Sequence, residues 1–280
     1  MNAYKLNNGV EIPVLGFGTW KLADGDECYE AVTTALKAGY RHIDTAQYYG
    51  NEASVGRAIR DSGLDREEIF VTTKVWNNIG TKEEALHSIQ ESLDKLGLNY
   101  VDLLLIHWPN PVAFRQEPGY EKRNLDLWAA FKKTYQEDRA RALGVSNFEE
   151  HHLKALLPHV EILPTVNQIK LAPGLPQAEL VQFCRQEDLQ LEGYSPLGSG
   201  KIFEDETLLE LAEKYGHTVA QIALRWSLQH GYIPLPRSKT PANIESNLDV
   251  FDFTLEKADM AKLDDLSYLV DKADPDHNDI

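Results

Sequence analysis

The 280-residue chain is predicted to be an α/β protein, a (β/α)8 TIM barrel preceded by a short N-terminal β-hairpin. Two observations carry the prediction. Eight β-rich runs alternate with amphipathic helical stretches at near-regular spacing, the pattern of a parallel sheet joined by crossover helices. Three successive apolar runs, about 30 residues apart, also end on a polar group. Arg41-His42-Ile43-Asp44 ends on Asp44, with Tyr49 five residues on. Ile69-Phe70-Val71-Thr72-Thr73-Lys74 ends on Lys74, and the run from Val101 ends on His107. In a barrel of parallel strands such ends converge on one rim, where barrel enzymes keep their chemistry. An open doubly wound sheet would instead carry G-x-G-x-x-G after its first strand. Here Gly16-Phe17-Gly18-Thr19-Trp20-Lys21 lacks the third glycine and leads into no immediate helix.

Taken in order, Tyr4 to Pro13 reads as the hairpin, because Asn8-Gly9 is a favoured two-residue turn. Strand cores follow near Val14–Phe17, His42–Asp44, Phe70–Lys74, Val101–His107, Ala142–Ser146, Thr165–Gln168, Gln190–Tyr194 and Gly231–Leu235. Helical patterns lie between them, among them Glu27–Ala38, Lys82–Leu96, Leu125–Glu137, Pro176–Glu187 and Thr207–Lys214. Gly39, Gly63, Gly97 and Gly216 stand where helices should end. No linker rich in Pro, Gly or Ser divides the chain, so residues 1–280 are expected to form one domain. The acidic tail Asp271–Ile280, with Pro275 and no apolar period, reads as loose: a frayed end or a flap over the barrel mouth.

Net charge is −16, from 28 basic and 44 acidic residues, which argues against a nucleic-acid binder. It leaves room for one local cationic pocket. Cys28 and Cys184 lack C-x-x-C spacing, so no disulfide framework is expected. Met1 to Leu6 lacks the apolar core of a signal peptide, and no apolar run approaches a membrane span. A cytoplasmic location, away from membranes, is the expectation. The histidines show no H-x-x-x-H pair, so no metal is expected, and His151-His152 at a helix start should face solvent.

Asp, Tyr, Lys and His on one rim make a site that handles protons. The Lys74 cation should lower the pKa of Tyr49 and make the phenol a usable donor, with Asp44 holding Lys74 charged. His107 can hydrogen-bond a carbonyl oxygen beside Tyr49. Such a set suits protonation of an oxygen on which negative charge develops, as in carbonyl reduction. No G-x-S-x-G or matched Cys–His pair points to a hydrolase. Trp20, Tyr48, Trp76 and Trp108 fall at or just past strand ends and should wall an apolar substrate pocket.

These residues resemble the aldo-keto reductase family, from the hairpin to about Asp265. The resemblance rests on Gly16-Phe17-Gly18-Thr19-Trp20, Gly39-Tyr40-Arg41-His42-Ile43-Asp44-Thr45-Ala46 with Tyr48-Tyr49-Gly50-Asn51-Glu52, Gly144-Val145-Ser146-Asn147-Phe148, Asn167-Gln168-Ile169 and Tyr194-Ser195-Pro196-Leu197-Gly198. The chain is most similar to bacterial members of the 2,5-diketo-gluconate reductase kind. The resemblance implies Asp44, Tyr49, Lys74 and His107 as a catalytic tetrad reducing aldehydes, ketones or sugar-derived dicarbonyls in a monomer. It implies NADPH across the rim, with NADH weaker. Ser146, Asn147 and Gln168 would hold the nicotinamide carboxamide and Tyr194 would stack under the ring, with Thr19, Leu197 and Ser199 as lesser contacts. Ile233 to Pro241 resembles the loop for the adenosine 2′-phosphate, which assigns Arg237, Ser238, Lys239 and Thr240 to that group, with Asn247 further on.

The pattern is departed from in places. Arg237 stands where members usually carry Lys, Asn243 where they carry Arg, and Ser246 where they carry Glu. Lys170 and Ala172 replace a usual Glu and His, and Gly193 a common Ala. Two other classes remain open: a Schiff-base aldolase barrel using Lys74, and a non-catalytic nicotinamide-nucleotide sensor.

Overall fold

A computed structural model describes residues 2–116 and 119–278. Residues 1, 117, 118, 279 and 280 lie outside it, and with them part of the expected tail and of the loop between Pro109 and Gly119. The hairpin pairs β1 (Ala3–Lys5) with β2 (Glu11–Pro13). Its turn is longer than expected. Leu6 N–H bonds Val10 O, so Asn7-Asn8-Gly9 forms a three-residue loop with Gly9 at φ 88°.

Eight parallel strands follow in chain order: β3 (Phe17–Gly18), β4 (His42–Asp44), β5 (Phe70–Val75), β6 (Val101–Ile106), β7 (Ala140–Ser146), β8 (Val166–Lys170), β9 (Gln190–Tyr194) and β10 (Ile233–Leu235). Each pairs with its sequence neighbour. The seam between first and last strands is bridged by Gly16 N–H to Pro234 O at 3.1 Å and Gly18 N–H to Pro236 O at 3.0 Å. Proline lacks an N–H, so here the last strand contributes carbonyls to the seam. A Cβ on Gly16 would lie 2.5 Å from a Leu235 methyl and 2.8 Å from His42 Nδ1, so a larger residue would require those side chains to move. The first strand starts later than its apolar run because the Val14 N–H bonds Asn2 O, which makes it an extension of the hairpin. The last starts later because Gly231 and Tyr232 N–H groups close the preceding helix on Leu228 and Ser227 carbonyls.

Helices cover the strands: α1 (Asp26–Ala38), α2 (Glu52–Asp61), α3 (Lys82–Leu96), α4 (Gly119–Gln136), α5 (Glu150–Leu156), α6 (Ala178–Gln186), α7 (Glu206–Tyr215), α8 (Val219–Gln229), α9 (Pro241–Ser246) and α10 (Lys257–Asp264). Side chains alternate along each strand. Leu104, Ile106, Val71 and Val145 pack with the helices, whereas Leu103, Leu105, Phe70 and Ala142 form a separate cluster with Leu6 and Ile12 of the hairpin. The hairpin thus plugs the lower barrel with apolar side chains, each worth about 1.5–3 kcal/mol when fully buried. Above that plug the same inward parity delivers His42, Asp44, Thr72, Lys74, Gln168 and Glu192, all buried polar groups. The interior is apolar below and polar above, which locates the chemistry.

The tail bonds to the loop after β6 and to the start of α5. Asn110 Nδ2 donates to Asp276 Oδ1 at 2.7 Å, Arg115 to Asn278 O at 2.6 Å, and Lys272 to Glu149 Oε2 at 2.8 Å. His152 is buried, contrary to the expectation that it faces solvent, and its Nε2 lies 3.0 Å from Asp276 Oδ1. With exposed His151, these three residues offer ligand atoms in one place. However, His152 Nδ1 accepts the Glu149 N–H at 3.1 Å, so the ring proton sits on Nε2 and is given to Asp276. The cluster acts as a hydrogen-bonded clasp on the tail. Lys170, where a glutamate would be usual, reaches Asp271 O at 2.8 Å and adds another tether.

Candidate active site

Asp44 ends β4 and Lys74 sits one residue before the end of β5, both pointing inward and both buried. Lys74 Nζ donates to Asp44 at 2.7 and 2.8 Å and to Thr45 O at 2.8 Å, and lies 3.4 Å from the Tyr49 hydroxyl. Tyr49 is carried by a single 3-10 turn, Gln47–Tyr49, closed by left-handed Gly50. Two amides lock that turn. Gln47 Oε1 accepts the Trp76 N–H at 3.0 Å, and Asn51 Nδ2 donates to Thr19 O and Leu22 O at 2.9 and 3.0 Å. His107 follows β6, with its ring 5.7 Å from that of Tyr49 between centroids. The expected tetrad is therefore one cluster.

Its electrostatics differ from expectation in one respect. Burial, helped by the Asp44 carboxylate, pushes the Tyr49 phenol well above its usual 10. Lys74 does not lower it in this state, because desolvation penalises the phenolate more than one paired cation favours it. The phenol therefore keeps its proton. His107 is pushed well below its usual range by burial and by Lys74, so it is a neutral ring.

A cleft of about 660 Å3 opens over this cluster. It is lined by Asp44, Tyr49 and His107, by Ser146, Asn147, Gln168 and Tyr194, by Leu197 and Ser199, and by Arg237, Ser238, Lys239 and Thr240. Trp20, Tyr48, Trp76 and Trp108 line it as well. Tyr48 stacks on Trp76 at 3.7 Å and on Trp20 at 5.4 Å, which makes one aromatic wall. Lys74, Thr19 and Asn247 do not line it. Thr19 is fully buried, its hydroxyl on Asp44 O at 3.0 Å.

The polar floor is already cross-bonded. Asn147 Nδ2 donates to His107 O and to Ser146 Oγ, and its Oδ1 accepts the Tyr194 hydroxyl at 2.7 Å. Ser146 Oγ donates to Gln168 O at 2.8 Å. Gln168 Nε2 donates to Asp44 Oδ2 at 2.9 Å and to Glu192 Oε2 at 2.8 Å. An ionised Asp44 accepts only, so the atom facing it must be the amide nitrogen, and the Gln168 oxygen is left for the cleft. Lys239 is paired with Glu27 at 3.2 Å.

Three buried residues of this region escaped the sequence reading. Arg123, in the first turns of α4, donates to Ile79 O at 2.8 Å, Trp108 O at 3.0 Å, Asn124 Oδ1 at 3.1 Å and Trp76 O at 3.3 Å. Asn124 adds a bond to Pro109 O at 3.1 Å. The two rim loops that bear Trp76 and Trp108 are thereby tied to one helix. The third is Glu192, two residues before Tyr194 on an inward strand face. Strand parity alone could have flagged it.

Comparison with known proteins agrees with this geometry. Residues 14–267 match the model of the aldo/keto reductase family. A glyoxal reductase of Bacillus subtilis is 45% identical over 263 residues, covering 94% of this chain and 92% of the relative. The crystal structure of an aldo-keto reductase enzyme from a Medee basin deep-sea metagenome library superposes with a TM-score of 0.91 at 41% identity, covering 98% of each chain. A Bombyx mori aldo-keto reductase solved in complex with NADP gives 0.85 at 35% identity, covering 94% of this chain and 92% of that one. A barrel with Asp44, Tyr49, Lys74 and His107 gathered at its rim, matched over this length, belongs to the aldo/keto reductase family of oxidoreductases.

Proposed function

We propose that the protein is an NADPH-dependent reductase of small aldehydes, ketones or dicarbonyls, with Tyr49 as the general acid. The observation that carries this reading is Lys74 Nζ held between Asp44 and the Tyr49 hydroxyl, at 2.7 and 3.4 Å, with the neutral His107 ring edge-on to the Tyr49 ring, 5.7 Å between centroids. A protonated phenol is the form a donor needs. Tyr49 gives its O–H to the carbonyl oxygen as negative charge grows there, and Lys74 stabilises the phenolate left behind. Asp44 keeps Lys74 charged. Neutral His107 donates a hydrogen bond that orients the oxygen.

The cleft suits a nicotinamide dinucleotide. It has the size of a small-molecule site, about 300–1,000 Å3, and joins the tetrad to the Arg237-Ser238-Lys239-Thr240 loop. When bound, NADPH supplies the hydride. Gln168 would receive the carboxamide on its free oxygen, with Ser146 and Asn147 nearby. Tyr194 would support the ring, and Arg237, Ser238 and Lys239 would meet the 2′-phosphate. The B. subtilis relative named for glyoxal and the neighbour bound to NADP support the same reading. A Schiff-base role for Lys74 is disfavoured, because the amine is paired with Asp44 and does not line the cleft.

The test is Tyr49→Phe. It should lower kcat for aldehyde reduction by at least about 100-fold, the usual contribution of a general acid, while NADPH still quenches tryptophan fluorescence. Near wild-type turnover in that variant would remove Tyr49 from the mechanism. Tyr48→Phe, one residue away in the aromatic wall, should move substrate KM more than kcat.

A further inference from the structure

We propose that Glu192, buried beneath the cleft, is a positioning residue that holds Gln168 with its amide oxygen toward the nicotinamide while remaining an uncharged acid beside ionised Asp44. The first part rests on the cofactor reading above. The second concerns the protein without any ligand.

One amide nitrogen meets two carboxyl groups beneath the cleft. Gln168 Nε2 lies 2.9 Å from Asp44 Oδ2 and 2.8 Å from Glu192 Oε2, so both of its hydrogens are engaged. Remove Glu192 and the amide keeps one anchor, about which it can rotate. Two carboxylates sharing a buried donor do not both ionise. Asp44 is matched by Lys74 at 2.7 Å, so it takes the charge and Glu192 keeps the proton. The groups facing Glu192 are few. They are Asp44 and His42 on β4, Lys74 on β5 and Gln168 on β8. His42 Nε2 lies 3.5 Å from Glu192 Oε1 and cannot serve as a counter-cation, since burial and Lys74 lower its pKa to about 3. Glu192 Oε1 has no hydrogen-bond partner among the described residues, a costly state for an ionised oxygen and a tolerable one for an acid O–H facing an imidazole. Burial and the Asp44 charge push Glu192 up to about 8, which agrees.

Neutrality has a consequence for the reaction. A second negative charge under Lys74 would oppose the oxyanion stabilisation that Lys74 supplies. Ionisation of Glu192 above about pH 8 therefore weakens the reductase, and a glutamine at this position does not ionise.

The test uses Glu192→Gln and Glu192→Ala, each with and without NADPH. In the ligand-free protein, infrared difference spectra of wild type against Glu192→Gln at pH 7 should show a neutral carboxylic-acid carbonyl band. Thermal midpoints give a second reading. A carboxyl whose folded pKa is raised loses stability as pH climbs from its unfolded value, about 4.3, to its folded value of about 8. The midpoint of Glu192→Gln should therefore gain on wild type across that window and level off above it. With coenzyme, Glu192→Ala should raise the NADPH Kd about three- to tenfold, the worth of one buried hydrogen bond, and Glu192→Gln should restore it. The kcat of wild type should decline above about pH 8, and that decline should be absent in Glu192→Gln. A carboxylate band at pH 7 with a constant midpoint gap overturns the neutral acid. An unchanged Kd in Glu192→Ala overturns the hold on Gln168. Failure of wild type to bind NADPH at all would instead strike the proposed function and leave the ligand-free results standing.

Discussion

Arg123 offers the strictest check on how this barrel shapes its mouth. The residue is 2% exposed, and its guanidinium has no carboxylate partner among the described residues and faces four oxygens, three of them backbone carbonyls of the loops behind Trp76 and Trp108. Arg123→Met keeps the length of the side chain and removes every donor. Each hydrogen bond from a charged group is worth about 1.5–3 kcal/mol net. The two shortest contacts, 2.8 and 3.0 Å, thus set a loss of about 3–6 kcal/mol. Water can reach loops so near the surface and take over part of those bonds. A loss of about 2–3 kcal/mol remains. With an unfolding entropy of about 2.1 cal/mol/K per residue, a chain of this size should melt about 3–5 °C lower. The functional signature should be more specific. Freed loops displace the aromatic wall but not the tetrad, so KM for an aromatic aldehyde should rise about tenfold with kcat within about threefold, the pattern of lost substrate binding. Calorimetry and initial-rate kinetics on the purified variant measure both. A melting point within a degree of wild type, or a kcat that falls with KM unchanged, would refute the bracing argument.

Lys74→Met should lower kcat much more than it weakens NADPH binding, and borohydride treatment of wild type with an aldehyde should leave no adduct on Lys74; a stoichiometric adduct, read by mass spectrometry, would restore the aldolase. NADPH should bind more tightly than NADH, but by a margin about ten- to a hundredfold narrower than if a cation stood at Asn243, the worth of one charge-assisted hydrogen bond. Asn243→Arg should widen the preference and Arg237→Ala nearly erase it, and fluorescence titration of both coenzymes decides. Because burial holds His107 neutral, kcat should show no ionisation near 6.5, the usual imidazole value. A step there that disappears in His107→Asn would show that the ring titrates.

Local pattern was enough to find the rim. Asp44, Lys74 and His107 end apolar runs, and a parallel barrel has one end where such residues can meet, so their convergence followed from spacing and period. Tyr49, five residues past Asp44, was read from the same spacing, whereas Ser146, Asn147, Gln168 and Tyr194 came with motif resemblance, and all five line one cleft. Arg123 and Asn124 stayed invisible for a definite reason. The helix was expected to begin at its first regularly spaced apolar residue, Leu125, yet its opening turns are buried through polar side chains that no hydrophobic period records. The tail, read as loose from its composition, bonds Asn110, Arg115 and His152, all more than 100 positions away in the chain. Gln168 likewise meets Asp44 across 124 positions, and that contact sets the direction of its amide. The direction of the Tyr49 shift is of the same kind: the sequence names the cation beside the phenol, but how much water is excluded around both is a property of the closed barrel. What the sequence determined by itself was which side chains reach the rim, because strand period and strand ends are local. Which of them carry charge, and which polar groups hold them in place, only the tertiary structure decided, because solvation and long-range partners come into being when the barrel closes.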